Sequence, residues 1–147
     1  MITPTTSTDP LVEALATRLR LMDLVGWRRI ATYAEQSQLS FEDLRLLFAM
    51  ALKMDDGPLA ISELADLAGF SLDVAYPAIH RLRGRGYLHE ERRRYSLSEQ
   101  GQEVVAMLDT AHREGIQAYV DQLSPDDRRP FDAAFGIATQ EVRNARR

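Results

Sequence analysis

The chain has 147 residues, of which 45% are hydrophobic, and a net charge of −4. This length and composition suit one domain with a buried core and exclude a disordered chain. Cysteine is absent, which excludes disulfides, thiolate metal sites and cysteine nucleophiles, and three scattered histidines do not indicate a metal site. Neither a membrane-length apolar run nor a signal peptide is evident, so we expect a cytoplasmic protein without a membrane partner.

Positive charge is concentrated in one short segment of the chain. Residues 76–95 contain six arginines and only two acids, whereas residues 41–75 contain two basic and seven acidic residues. Residues 1–40 are neutral and residues 96–147 are acidic. Because the chain as a whole is acidic, any attraction to nucleic-acid phosphates would come from this basic segment.

A long amphipathic helix is predicted near the N-terminus. Residues 1–9 have the character of a disordered tail, and Asp9-Pro10 then supplies an N-cap acid followed by proline at the first helical position. Apolar residues recur at steps of three and four as far as about Ser37, which is longer than a small core needs. We therefore expect this helix to pack against another chain or against another long helix. Its apolar positions are Leu11, Leu15, Leu19, Met22, Gly26, Ile30 and Tyr33.

A helix-turn-helix is predicted in the middle of the chain. The preceding helix begins after Ser40, with Asp43 at the position of a capping-box acid. Helices over about 62–68 and 71–83 then flank a turn at Gly69, and the second helix turns Ala75, Ala78, Ile79 and Leu82 inward. Its other residues are candidates for reading base edges in the major groove. These candidates are Ser71, Asp73, Tyr76, Pro77, His80 and Arg81.

A short β-hairpin is predicted directly after this helix. Residues 87–90 and 94–97 have the pattern of two strands, with the segment 91–93 as the tip. Three consecutive arginines, Arg92, Arg93 and Arg94, suit contact with phosphates or the minor groove. Three arginines alone would be interpreted as a solvated turn. Next to a helix-turn-helix they predict a wing and double-stranded DNA as the partner.

Two further helices are predicted at the C-terminal end. Ser98 caps a long helix, and Ser124-Pro125 begins a last one that extends to about Val142, with Pro130 able to kink it. The predicted fold is therefore mainly α with a small β-hairpin wing. A winged helix-turn-helix over 39–97 lies between a long N-terminal helix at 10–38 and C-terminal helices at 98–147.

Several short motifs resemble the MarR family of winged-helix regulators, over about residues 11–142. The resemblance includes the element Leu97–Gly101, which is similar to that family's Leu-Thr-x-x-Gly start of the helix after the wing. The segments 76–82 and 93–97 instead resemble the related PadR family. The other MarR-like elements are Leu64-Ala65 with Gly69, Arg81-Leu82 and Gly86-Tyr87-Leu88.

The resemblance implies a homodimer held by the first helix and the last two, with half-sites about one DNA turn apart. The expected function is a transcription regulator, in the first place a repressor and otherwise an activator, which a small-molecule effector would release from DNA. No cofactor is expected. The resemblance also implies an effector pocket for small aromatic acids between the dimerisation helices and the DNA-binding lobe. The candidate neighbours, each explained more simply as core or interface, are Met22, Trp27, Tyr33, Phe48 and His112.

Two departures from the MarR pattern bear on function. The wing is short and lacks the usual Asp-x-Arg element, and Pro77 stands where a polar or basic residue often contacts DNA. Pro77 also cannot donate an N–H to Asp73, which predicts an irregular start to the helix.

The alternative function is a winged-helix module that binds protein rather than DNA, favoured by the low overall charge and by Pro77. Exposure of the three arginines together with Tyr76, His80 and Arg81 would favour DNA, whereas burial of the arginines against Glu90 or Asp73 would favour a protein partner. An enzyme is not expected. The sequence has no glycine-rich phosphate loop or metal cluster. Ser96 and His89 lie on predicted strands and Ser98 caps the next helix, so they do not suggest a nucleophile–base arrangement.

Overall fold

The computed structural model describes residues 9–136. Residues 1–8 of the predicted tail, and the predicted end of the last helix with Ala138 and Val142, lie outside these residues. The described chain forms two compact units. One contains the residues up to Gly26 together with those from Arg113 onward, and the other contains Trp27–His112.

The order of helices and strands is the predicted one, and the fold class, mainly α with a β-hairpin wing, is confirmed. The hairpin is antiparallel, and Leu88 pairs with Leu97 at its open end. A 3₁₀ turn, Met54–Asp56, follows the second helix. The helices and strands are α1 (Pro10–Ser37), α2 (Phe41–Ala51), α3 (Ile61–Ala68), α4 (Leu72–Gly84), β1 (Leu88–Glu91), β2 (Arg94–Leu97), α5 (Glu99–Val120) and α6 (Pro125–Ala134).

The core of the Trp27–His112 unit lies where α2, α3 and α4 pack together beneath the hairpin. The predicted inward residues of α4 are buried there, with Ile79 and Leu82 fully enclosed. Leu64 and Ala65 of α3 are buried as well, so the apolar pattern of the helix-turn-helix is confirmed. The remaining fully buried large aliphatic residues of this unit are Leu46, Leu47 and Val104.

The hairpin differs from the prediction in three respects. β1 begins at Leu88 rather than Tyr87, because the Tyr87 N–H donates to the Leu82 carbonyl at 3.0 Å at the end of α4. Glu91, predicted at the tip, pairs with Arg94 and ends β1, so the tip is one residue shorter than predicted. Leu59 pairs with Tyr95 through two backbone hydrogen bonds of 2.8 and 2.9 Å, on the side of β2 away from β1. The sequence did not predict this bridge, since a single paired residue has no periodicity.

In the other unit, α1 and α5 cross with their backbones in contact. A Cβ atom added to Gly115 would lie 2.2 Å from the carbonyl oxygen of Met22 and 3.4 Å from the nitrogen of Gly26. The first half of α1 keeps a row of exposed apolar side chains at the predicted helical spacing. Leu11, Leu15 and Leu19 are 65%, 44% and 57% exposed.

Two prolines lie inside helices without ending them. α4 is continuous through Pro77, so the predicted irregular start is not observed. Pro130 likewise lies within α6, which ends at Ala134. A proline lacks only the one N–H that its own position would donate, and it clashes with the carbonyl four residues earlier, so a helix can continue past it at an energetic cost.

Candidate nucleic-acid interface

The turn between α3 and α4 is held by a left-handed glycine and an arginine. Gly69 ends α3 with φ of +71°, a conformation that favours glycine. Arg45 of α2 donates from Nε to the Ala68 carbonyl and places its guanidinium over the Phe70 ring, 5.4 Å from the centroid. Ser71 occupies the N-cap of α4, but its hydroxyl makes no capping hydrogen bond, unlike the predicted cap Ser40.

The outward side of α4 presents most of the predicted base-reading residues to solvent. Asp73, Tyr76, Pro77 and His80 are all exposed, opposite the buried alanines and aliphatic residues. The Tyr76 and His80 rings pack together one helical turn apart, with centroids separated by 4.4 Å. α4 therefore offers a preformed surface of the kind that enters a major groove.

Arg81 is exposed over only part of its side chain because it pairs with a buried acid of α2. Its Nη2 donates to Asp43 Oδ1 at 2.6 Å, and Asp43 is 1% exposed. The other carboxylate oxygen accepts the Ser40 N–H at 2.9 Å, and Ser40 Oγ in turn accepts from the Asp43 N–H. The sequence predicted the capping box but not the ion pair, since capping alone accounted for Asp43.

The tip of the wing is a two-residue turn made of arginines. Glu91 pairs with Arg94 across the hairpin, and the two residues between them, Arg92 and Arg93, have φ of +51° and +61°. Positive φ at both central positions is the signature of a type I′ turn, which matches the twist of the strands. Both arginines are exposed, and neither has a hydrogen-bond or ion-pair partner among residues 9–136.

Three of the remaining arginines of the basic segment are engaged within the fold. Arg94 donates from Nη1 to the Pro58 carbonyl at 3.0 Å and lies 3.5 Å from Glu63 Oε2. Arg83 forms an ion pair with Glu90, which ties α4 to β1. Arg85 donates to the Ser37 and Gln38 carbonyls at the end of α1 and lies over the Tyr87 ring. The sequence did not predict these roles. Within the described part of the chain, the free cations of the wing are Arg92 and Arg93.

The MarR-like element at 97–101 closes the base of the wing. Ser98 Oγ donates to the Gly86 carbonyl at 2.6 Å and accepts from the Gly101 N–H at 3.1 Å. A Cβ atom at Gly101 would lie 2.2 Å from the Tyr87 carbonyl oxygen, so only glycine fits against this backbone. The hydroxyl and the glycine therefore have structural roles, which explains the spacing of the motif.

Two tyrosines of this unit have shifted acidities. Burial raises the pKa of Tyr95, and the nearby Glu90 carboxylate adds to the shift. Burial also raises the pKa of Tyr33, with a smaller contribution from the neighbouring Tyr87. Both phenols thus stay neutral to higher pH than in an unfolded chain.

A cavity of about 210 Å³ lies beside β2, and none of the five predicted effector neighbours lines it. Trp27 packs on Phe41, while the Phe48 and His112 rings stack with centroids 5.0 Å apart. His112 Nδ1 also lies 2.7 Å from the Leu108 carbonyl oxygen. The cavity lining consists of Met50, Lys53, Met54, Gly57, Pro58, Leu59, Tyr95, Ser96, Leu97 and Gln102.

Over residues 9–136, no group of three or more His, Cys, Asp or Glu side chains is arranged to hold a metal ion. No helix in this part of the chain combines the length and the apolar character needed to cross a membrane.

No family model matches the sequence, and no curated protein sequence matches it. Solved structures do match. Rv1404 from Mycobacterium tuberculosis has a TM-score of 0.67 at 24% identity, covering 92% of this chain and 94% of its own. The MarR family protein Rv2887 of the same organism, solved in complex with DNA, has a TM-score of 0.61 at 13% identity, with coverage of 87% and 96%.

A third match is BpsR from Bordetella bronchiseptica, with a TM-score of 0.52 at 17% identity, covering 91% of this chain and 97% of its own. The DNA binding of BpsR is regulated by 6-hydroxynicotinic acid. The described chain thus has the winged-helix fold of MarR regulators, as the sequence motifs predicted.

Proposed function

From this MarR-type winged-helix fold we propose that the chain is a transcription regulator that binds double-stranded DNA through α4 and the wing. The observation that carries the proposal is a pair of exposed arginines, Arg92 and Arg93, which have no partner among residues 9–136 and lie at a tight turn. Their neighbours Arg83 and Arg94 form contacts within the fold. Arg92 and Arg93 are therefore the arginines of the wing that can bind DNA phosphates. The DNA complex of Rv2887 supports the same use of the fold.

Within this proposal, the predicted site residues fall into two groups. Ser71, Asp73, Tyr76, Pro77 and His80 would face base edges, as exposed residues of the first turns of α4 do in helix-turn-helix proteins. Arg81 would contribute through the guanidinium nitrogens that Asp43 does not use, and Arg94 would act mainly by anchoring the wing.

A homodimer is part of the proposal. The exposed leucines of α1 recur every four residues and form an apolar row that a second copy of the helix would cover. A two-fold dimer would present two copies of α4 to half-sites about 34–36 Å apart on the DNA.

We further propose repression that a small aromatic acid relieves, by favouring a conformation that binds DNA poorly. The regulation of BpsR by 6-hydroxynicotinic acid supports this class of effector. Titration of the protein–DNA complex with 6-hydroxynicotinic acid and related aromatic acids tests this proposal. We expect the acid to release DNA, and the release to saturate as the ligand concentration rises.

The DNA-binding test is a fluorescence-anisotropy titration against a duplex from upstream of the gene, with an unrelated duplex as competitor, at two salt concentrations. The informative variant is Arg92→Asn with Arg93→Gly. Asn-Gly is the preferred sequence for a type I′ turn, so this variant should strengthen the hairpin while removing two cations. Weaker binding would then reflect lost charge and not a damaged wing.

We expect the variant to bind every duplex more weakly and to lower the slope of log affinity against log salt by about 0.9 for each arginine that contacts a phosphate. The matched control is Arg128→Gln with Arg129→Gln, which removes the same charge from exposed positions of α6. Unchanged affinity at low salt would refute the role of the wing. Absence of any duplex binding by the wild-type protein would favour the protein-binding module.

A further inference from the structure

The outward side of α4 is poor in side chains that form paired hydrogen bonds with bases. Leu72–Gly84 contains no lysine, asparagine or glutamine, and its two internal arginines are engaged by Asp43 and Glu90. The usual side chains for bidentate contacts with guanine or adenine are therefore missing or held elsewhere.

The same side is unusually apolar for a solvent-exposed helix. Tyr76 is 56% exposed and Leu72 55% exposed, and Pro77 is exposed between the positions of Asp73 and His80. In the major groove, the apolar group on the base edges is the C5 methyl of thymine. An apolar helix surface thus has a specific counterpart in DNA.

We propose that α4 selects its half-site by contacts of Pro77 and Tyr76 with thymine methyl groups. The proposal rests on the DNA-binding function above and names the chemistry that this surface reads. DNA is favoured over an apolar protein partner because the free cations at the wing tip, Arg92 and Arg93, complement phosphates.

The two apolar groups are held rigidly. The Pro77 ring has no rotatable side-chain torsion, and the Tyr76 ring is packed against His80. The Asp43–Arg81 and Arg83–Glu90 ion pairs fix α4 to α2 and β1. Little conformational entropy is therefore lost when these groups contact DNA, which favours discrimination of a single methyl group.

Pro77→Ala is an informative substitution because it should not damage the helix. It removes the ring, restores an N–H for the Asp73 carbonyl and replaces the poorest helix former with the best. We expect its free energy of unfolding to stay the same or rise. A loss of DNA affinity in this variant would therefore reflect a lost contact.

The experiment begins with selection of the full-length protein on a random duplex library. Each thymine of the enriched site is then replaced by deoxyuridine, which removes only the methyl group. We expect wild type to bind about fourfold more weakly at each contacted methyl, and about fifteenfold when both half-sites are changed. The thymine preference should disappear at one position in Pro77→Ala and at another in Tyr76→Ala.

Two control variants test whether the effects are specific to the apolar groups of Pro77 and Tyr76. Tyr76→Phe keeps the ring and should keep the thymine preference. Leu52→Ala removes an exposed apolar side chain after α2, 72% exposed in wild type, and should behave as wild type.

Two outcomes would overturn the proposal in distinguishable ways. Enrichment of a site whose thymine and deoxyuridine forms bind equally at every position would refute methyl recognition while leaving DNA binding intact. Failure to enrich any sequence, together with no duplex binding at low salt, would refute the proposed function itself.

Discussion

Arg81 of α4 and Asp43 of α2 form an ion pair of 2.6 Å, although 38 residues separate them in the sequence. The same carboxylate caps α2 through its other oxygen. One buried acid therefore fixes the start of a core helix and the position of the helix proposed to read DNA.

Asp43→Ala should lower the free energy of unfolding by about 2 kcal/mol, because it removes a helix cap and an ion pair whose arginine is half exposed. Urea denaturation at neutral pH measures the change. Asp66→Ala, at an exposed acid of α3, is the control and should be nearly neutral. Equal stability of Asp43→Ala and the control would contradict the dual role of Asp43.

Glycine is required at two positions of α5 where its backbone approaches another backbone closely, but not at Gly84 of α4. Gly101→Ala and Gly115→Ala would each place a Cβ atom 2.2 Å from a carbonyl oxygen and should cost about 1–3 kcal/mol or more. Gly84→Ala, where nothing lies within 4 Å, should be neutral or slightly stabilising. Thermal melting of the three variants tests this order, and a Gly84 variant as unstable as the others would contradict it.

The apolar row of α1 predicts the oligomeric state. Leu15→Glu with Leu19→Glu should convert the proposed dimer to a monomer, because two charges would be buried without partners in the interface. Sedimentation velocity at micromolar concentration is the measurement. Leu52→Glu changes a more exposed leucine of the other unit and should leave the dimer intact. A wild-type monomer would refute the homodimer.

The raised pKa of Tyr33 predicts a loss of stability at alkaline pH. The unfolded chain releases the phenolic proton near pH 10.0 while the folded protein retains it, so the folded state loses relative stability as pH rises above that value. Tyr33→Phe removes this dependence. Between about pH 9 and pH 11, its free energy of unfolding should fall less steeply than that of wild type. Parallel curves would show that Tyr33 ionises equally in both states.

The sequence predicted the structural features that depend on residues close together in the chain. Helical spacing located the helices, local caps such as Ser40 located their starts, and Gly69 located the turn. The inward face of α4 followed from the same spacing, as the burial of Ile79 and Leu82 confirms. These features arise within a few residues of chain, where backbone geometry leaves few alternatives.

Contacts between distant residues could not be predicted in this way. Six arginines in a short segment indicated a basic surface, yet Arg85 caps α1 across 47 residues and Arg94 reaches Pro58 across 36. A guanidinium has many partners within reach, and the sequence does not rank them. The positive charge available to bind phosphates is consequently smaller than the number of arginines suggested, and it lies at the wing tip.

The bridge between Leu59 and Tyr95 also affects how the protein behaves in concentrated solution. An open strand edge can recruit strands from other molecules and begin aggregation. Leu59 occupies that edge of β2 at Tyr95, and the adjoining Pro58 has no N–H to offer. The opposite strand, β1, carries Glu90 and Glu91. Strand addition is therefore obstructed at one edge of the small sheet by Leu59 and disfavoured at the other by charge, which counteracts aggregation through an exposed β-hairpin.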